Sequence, residues 1–313
     1  MHKFWAILVA SFSLCCATAI RGQDSGRIKA GLFDAVVQIE TPRDSSGKGF
    51  TGTGFLATPG DDPSGPIYLV TNKHMVGKWE CPGDEWRDVY DWIDVKFYRT
   101  DAAPGQPGFR TSRIALRTRN GIVDPKKIFA HADKNVDIAA VNVDSLVRDS
   151  REHIRDSTFG PTYFVKFDQI DKQLTGVGDL VFALGYPLGI ASQRTNHPIA
   201  KAAYLASIPG EEVSFPYICK SAFGRPDKNV KVEGKILVID GLIVHGNSGS
   251  PVVLAGGTKI RHDPITGQLE WSTIDIQNLV TGIVASGWDG AGLTLVYSSD
   301  YILDLLDQAK SAK

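Results

Sequence analysis

The chain has 313 residues, 42% of them apolar, 22% charged and 9% aromatic, with 34 Lys and Arg against 35 Asp and Glu for a net charge of −1. A chain of this size and composition buries a substantial core, and its charge balance lacks the basic surplus that marks a nucleic-acid surface. Four cysteines are too few for a disulfide-stapled miniprotein, and the 32 glycines and 16 prolines are spread along the chain instead of pooled in a linker.

Met1-His2-Lys3 is a short basic start, and residues 4–20 carry no charge. That stretch includes Ser and Thr and falls short of the ~20 apolar residues of a membrane span. Ala17 and Ala19 form a small-residue cleavage pattern. Residues 1–19 therefore read as a secretory signal cut after Ala19, giving a secreted or periplasmic protein without membrane contact. An uncleaved anchor is the alternative. The mature chain keeps only Cys81 and Cys219. An oxidising compartment permits a bridge between them, but sequence separation does not reveal the ~5.5 Å Cα spacing a bridge needs, so their pairing stays open.

From residue 27 onward, short β-type runs alternate with Gly, Pro and Asp. Expected strands cover residues 35–39, 52–57, 67–70, 93–98, 138–143, 180–184, 236–239, 252–254 and 280–285. The more polar stretch 144–178 is a candidate connection between two halves. At the C-terminus, Tyr301/Leu305 and Ile302/Leu306 fall at i,i+4 after Ser298 and Ser299, either of which can cap a helix. Many short strands and one terminal helix predict an all-β barrel or sandwich.

Gly52-Thr53-Gly54-Phe55-Leu56-Ala57 fits the G-x-G-x-x-G/A dinucleotide pattern, but Pro59-Gly60 and two aspartates follow at once, so no helix opens on it. It reads as a strand and turn. The chemistry-bearing segment is Gly246-Asn247-Ser248-Gly249-Ser250-Pro251, between the apolar runs Leu242-Ile243-Val244 and Val252-Val253-Leu254. A neutral serine on a tight turn is a weak nucleophile until a base takes its proton and a third group orients that base. Histidine, titrating near neutral pH, suits the base, and a buried carboxylate suits the orienter. His74 follows the apolar run Ile67-Tyr68-Leu69-Val70. Asp137 opens the run Ile138-Ala139-Ala140-Val141, where an unpaired charge would be costly. Asp133 and Asp144 compete less well for the orienter, and His131 reads as a surface-loop residue. His245 borders the serine turn as a possible substrate contact. The segment 79–98, rich in aromatic and acidic residues, either lines a cleft or packs on the body, the second being favoured.

The segments Thr53-Gly54-Phe55-Leu56, Leu69-Val70-Thr71-Asn72-Lys73-His74, Val136-Asp137-Ile138-Ala139 and the Gly246–Pro251 turn occur in the order His, Asp, Ser. In this the sequence resembles the trypsin-like (chymotrypsin-fold) serine peptidases, most closely the bacterial high-temperature-requirement, or Do-like, branch. Gly178 to Gly189 resembles the first strand of that branch's second barrel. The resemblance spans roughly residues 30 to 308 and implies two six-stranded β-barrels, about 30–145 and 175–298, within a domain of residues 27–313 that ends in a C-terminal helix at about 299–311. It also implies His74 as general base, Asp137 as orienter, Ser248 as nucleophile, and the N–H groups of Gly246 and Ser248 as an oxyanion hole. Ala285, Ser286 and Gly287 would pair with substrate backbone beside the specificity pocket, with Leu242 near its base and Leu295 on its wall. Both leucines are uncharged, which disfavours a taste for Arg or Lys and predicts cleavage after aliphatic residues.

Asn247 stands where animal trypsins carry the aspartate that binds a new N-terminus, so activation by that ion pair is not expected. The PDZ domain usual in the Do-like branch is not expected either. Polypeptides in extended or unfolded segments are the expected partners, with no cofactor and no metal. The rival function is a catalytically silent trypsin-like fold acting as a binding or scaffolding protein. An esterase of the α/β-hydrolase type is disfavoured by the chain order of the three residues.

Overall fold

A computed structural model describes residues 28–312, apart from 44–46, 48, 63, 80, 174, 220–227, 242, 263–265, 275–278 and 289–291. The expected signal segment 1–19 therefore lies outside the described residues, as does Leu242. The protein is all-β, with a chymotrypsin-like plan of two halves and a C-terminal helix.

A short helix, α1 (Ala30–Asp34), leads into β1 (Val36–Glu40), β2 (Thr51–Ala57), β3 (Tyr68–Thr71), β4 (Trp92–Tyr98), β5 (Phe109–Ala115), β6 (Ile128–Ala130) and β7 (Ala139–Asn142). These seven strands form one sheet in the order β5-β4-β1-β2-β3-β7-β6. The first half is thus a curled half-barrel of seven strands, where six and closure were expected. The strands with no expected segment are β5 and β6, which carry too few apolar residues to announce themselves. β5 buries only Ser112 and Ile114, and β6 has three residues.

A connection holding α2 (Asp144–Val147) and several 3-10 turns leads to β8 (Leu180–Gly185) and β9 (Ile199–Leu205). A two-stranded hairpin, β10 (Val213–Cys219) and β11 (Lys228–Gly234), precedes β12 (Ile236–Asp240) and β13 (Pro251–Leu254). A second hairpin, β14 (Gly257–His262) and β15 (Leu269–Ile274), precedes β16 (Val280–Trp288) and β17 (Leu293–Ser298). The closed barrel is β12-β17-β16-β13-β8-β9.

The apolar runs are near-continuous because their strands are buried on both faces. In β1 to β3, Val37, Ile39, Leu56 and Leu69 fill the first half. Their neighbours Val36, Phe55, Tyr68 and Val70 turn outward into a shared core with Leu184, Val253, Ile283 and Tyr297 of the second half. The barrel encloses its own cluster around Val181, Ile239, Val252 and Val296. Each such side chain contributes on the order of 1.5–3 kcal/mol on burial, so the central layer fixes the two halves against each other.

Helix α3 (Ser299–Ser311) starts after Ser298 and buries Ile302, Leu305, Leu306 and Ala309 in that layer, the face its i,i+4 pattern predicts. Asp300 in its first turn accepts the Phe167 N–H at 2.7 Å and pairs with Lys235. Cys81 and Cys219 are joined in a disulfide, which ties the loop after His74 to the β10–β11 hairpin. In the aromatic segment, Trp86 and Tyr90 pack against the core of the first half and Arg113 stacks on Trp92. Packing on the body, the favoured alternative, describes these residues.

Candidate active site

His74 sits on a 3-10 turn, Lys73–Met75, that interrupts the chain directly after β3. Asn72 adopts an extended conformation before it, and the Met75 N–H closes the turn on the Asn72 carbonyl at 3.1 Å. Asp137 lies two residues before β7, the strand paired with β3, so the sheet register brings the two loops together. The Asp137 carboxylate is almost wholly buried, and its Oδ2 lies 2.6 Å from His74 Nδ1. Its Oδ1 accepts the His74 backbone N–H at 3.2 Å. The Asn72 side-chain amide donates to the Asp137 carbonyl at 2.6 Å, pinning the main chain beneath the carboxylate. Burial works to lower the His74 pKa, but the Asp137 charge and hydrogen bond outweigh it, holding the imidazole above its ordinary value.

The competing acids are occupied elsewhere. Asp133 is exposed and its carboxylate accepts the Asn135 N–H at 2.8 Å, whereas Asp144 binds Arg148 and the Ile67 N–H. His131 lies in the loop that follows β6 and is half-buried. Its ring meets Tyr301 of α3 edge-on at 5.3 Å, and burial together with the Lys73 charge pushes its pKa down.

The serine turn is clamped from three sides. Thr53 of β2 donates its N–H to the Ser248 carbonyl at 2.8 Å and its hydroxyl to the Gly246 carbonyl at 2.7 Å. From the loop after β8, the Leu188 N–H donates to the His245 carbonyl at 2.6 Å. The Gly249 N–H reaches Val284 of β16 at 3.2 Å. Thr71, three residues before His74, donates to the Thr53 carbonyl at 2.7 Å, so the strand carrying the histidine and the clamp on the serine turn are one network. Gly246 has φ +99°, and a Cβ there would collide with the Tyr186 carbonyl oxygen. Only glycine fits.

Within the turn, the N–H groups of Asn247, Gly249 and Ser250 are engaged by backbone carbonyls. Those of Gly246 and Ser248 have no partner among the described residues. Two unengaged donors on one tight turn can bind a developing oxyanion. The structure brings His74 and Asp137 into direct hydrogen bonding, while the Ser248 hydroxyl makes no hydrogen bond among the described residues.

The sequence profile of the trypsin-like peptidase domain matches residues 52–260, a stretch that contains all three residues. The chain belongs to the trypsin-like peptidase family. Among solved structures it resembles the active form of the Rv3671c protease from M. tuberculosis, at 18% identity and a TM-score of 0.48, covering 90% of this chain and 82% of that one. It also resembles the catalytically active tobacco etch virus protease complexed with product, at 10% identity and a TM-score of 0.39, covering 87% and 76%. No curated protein matches it by sequence.

Of the substrate-side positions expected in this trypsin-like peptidase, Ala285 is the extra residue of a β-bulge, because Val284 pairs with Val296 and Ser286 with Leu295. Such bulges re-aim a strand's edge groups. Gly287 pairs with Thr294, and Leu295 is buried in the central core. Asn247 is fully buried, its amide donating to the Val244 carbonyl at 3.1 Å, so it serves to shape the turn. His245 is exposed on the same turn.

Sequence reasoning assigned no role to Thr53, Thr71 or Asn72. Each is a fully buried polar residue in or beside an apolar strand. That is the available signal, since a buried polar group must find a partner.

Proposed function

We propose that this trypsin-like peptidase is a secreted serine endopeptidase using His74, Asp137 and Ser248. The 2.6 Å hydrogen bond between the buried Asp137 carboxylate and His74 Nδ1 is the observation that supports it most, because it leaves Nε2 as the proton acceptor. Ser248 Oγ attacks the scissile carbonyl carbon as its proton passes to His74 Nε2. The C–N bond then breaks, and His74 returns the proton to the departing amine. Water, deprotonated by His74, hydrolyses the acyl ester and restores the serine hydroxyl. The N–H groups of Gly246 and Ser248 stabilise the oxyanion, each worth about 3 kcal/mol in such sites.

Substrate backbone pairs along Ala285, Ser286 and Gly287. Leu242 and Leu295, the residues that the sequence resemblance assigns to the pocket, are uncharged and favour Val, Ala, Ile or Leu before the cut, because a buried cationic side chain would lack a counter-charge. Export is supported by the pattern of residues 1–19 and by the Cys81–Cys219 bridge, a bond of oxidising compartments.

The test is hydrolysis of a peptide library by the wild type, Ser248→Ala, His74→Ala and the double variant. Each single change should abolish nearly all cleavage, with the double change costing little more, since the residues act as a unit. Undiminished cleavage by Ser248→Ala would overturn the mechanism. A library profile dominated by Arg or Lys before the cut would overturn the pocket assignment.

A further inference from the structure

Leu188, in the loop after β8, has 69% of its surface exposed and holds a left-handed backbone conformation at φ +53°. Large apolar residues rarely adopt that conformation, and a strained, solvent-facing leucine asks for a reason. Its N–H is the donor that holds the His245 carbonyl, one residue before the oxyanion glycine. Two residues on, Ile190 is 55% exposed. Gly189 between them lies against β2, where a Cβ would stand 3.9 Å from the Thr51 side chain. The residue before Thr51 is Phe50, 65% exposed. The Phe50 backbone is fixed by two hydrogen bonds with Thr41, which leaves its ring in water. Three large apolar side chains are therefore offered to solvent from two adjoining segments beside the serine turn.

The barrel order decides which part of a substrate they face. β13, which follows the serine turn, is flanked by β16 on one edge and β8 on the other. In the proposed function, residues before the cut pair along β16. A peptide crossing Ser248 in extended form then continues toward the β8 edge, where Leu188 and its neighbours stand.

We propose that Leu188, Ile190 and Phe50 form an apolar subsite for the residues after the scissile bond, selecting substrates with large apolar side chains there. This rests on the peptidase reading above and names its substrate class more closely. Burial of such side chains against exposed apolar surface supplies the selectivity.

The test uses three substrates with the same residues before the cut, continuing as Leu-Phe, as Ser-Gly, or ending in p-nitroanilide. The wild type should favour Leu-Phe over Ser-Gly. In Leu188→Asn, a side chain that tolerates the left-handed backbone, the ratio of kcat/KM for Leu-Phe to that for the anilide should fall roughly tenfold or more. Phe50→Ser, on the other segment, should lower the same ratio. An unchanged ratio in both variants, or a wild type indifferent to the continuation, would overturn the subsite. Loss of wild-type self-association with the ratio unchanged would overturn it too, making the patch a contact between copies. If the wild type cleaves no substrate, the peptidase reading itself has failed, a result distinct from the others.

Discussion

Replacing Asp137 by Asn keeps the shape of the site and removes its charge. In the transition state His74 becomes an imidazolium, and Asp137 Oδ2 sits 2.6 Å from its Nδ1 on a carboxylate that is almost wholly buried. Taking the charge centres as ~4 Å apart with an effective dielectric of about 20, the attraction is about 4 kcal/mol. That corresponds to roughly a thousandfold in rate. The amide also donates where the carboxylate accepted, forcing the wrong tautomer, which carries the expected loss toward ~10⁴. The pH profile provides a second readout. Activity needs neutral His74, and its pKa is raised above 6.5, so the wild-type rate should climb with pH through an apparent pKa above that value. Without the carboxylate, burial still disfavours the charged ring while nothing favours it, so the residual acid limb should move to lower pH. The assay is kcat/KM against pH on a single peptide. A variant within tenfold of the wild type, with its acid limb unmoved, would refute this account of Asp137.

Asn72→Ala removes the buried donor to the Asp137 carbonyl, a loss of about 1–3 kcal/mol. As a positioning residue it should lower kcat about tenfold or more while leaving KM near the wild-type value, and an unchanged kcat would show that Asp137 needs no such support. Cys81→Ser with Cys219→Ser opens a link spanning a sequence separation of 138, for which chain entropy gives about 5 kcal/mol. Thermal unfolding should show a Tm lower by roughly 10 °C, and an unshifted Tm would show that the two segments are held by other contacts.

Strands buried on both faces were legible in the sequence, because burial writes a continuous apolar run. β1, β2, β3, β8, β13 and β16 all lie close to their expected places. β17, buried from Thr294 to Ser298, went unexpected despite its apolar run, whereas β5, β9 and β11, also unexpected, bury one face or less. β9 alternates at its end, with Ala202 and Tyr204 exposed and Ala203 and Leu205 buried, and β11 is mostly exposed. With only local pattern to read, such segments look like loops. The same limit concealed the seven-stranded first sheet, whose added strands gain their stability from neighbours already in place.

At the site, His74 and Asp137 stood out because charged or titratable groups beside apolar runs are costly unless partnered. The threonine clamp did not, since Thr53 reaches across 193 residues to Gly246 and nothing local encodes that contact. Leu188 was equally hidden, because nothing in the propensity of a leucine announces a left-handed backbone.

The most direct measurement of the central claim is reaction of the purified protein with a fluorophosphonate, read by intact mass and peptide mapping. A serine activated by His74 should take up one phosphonyl group at Ser248, and Ser248→Ala and His74→Ala should take up none. An unlabelled wild type, or labelling at a different serine, would contradict the assignment of Ser248 as the nucleophile.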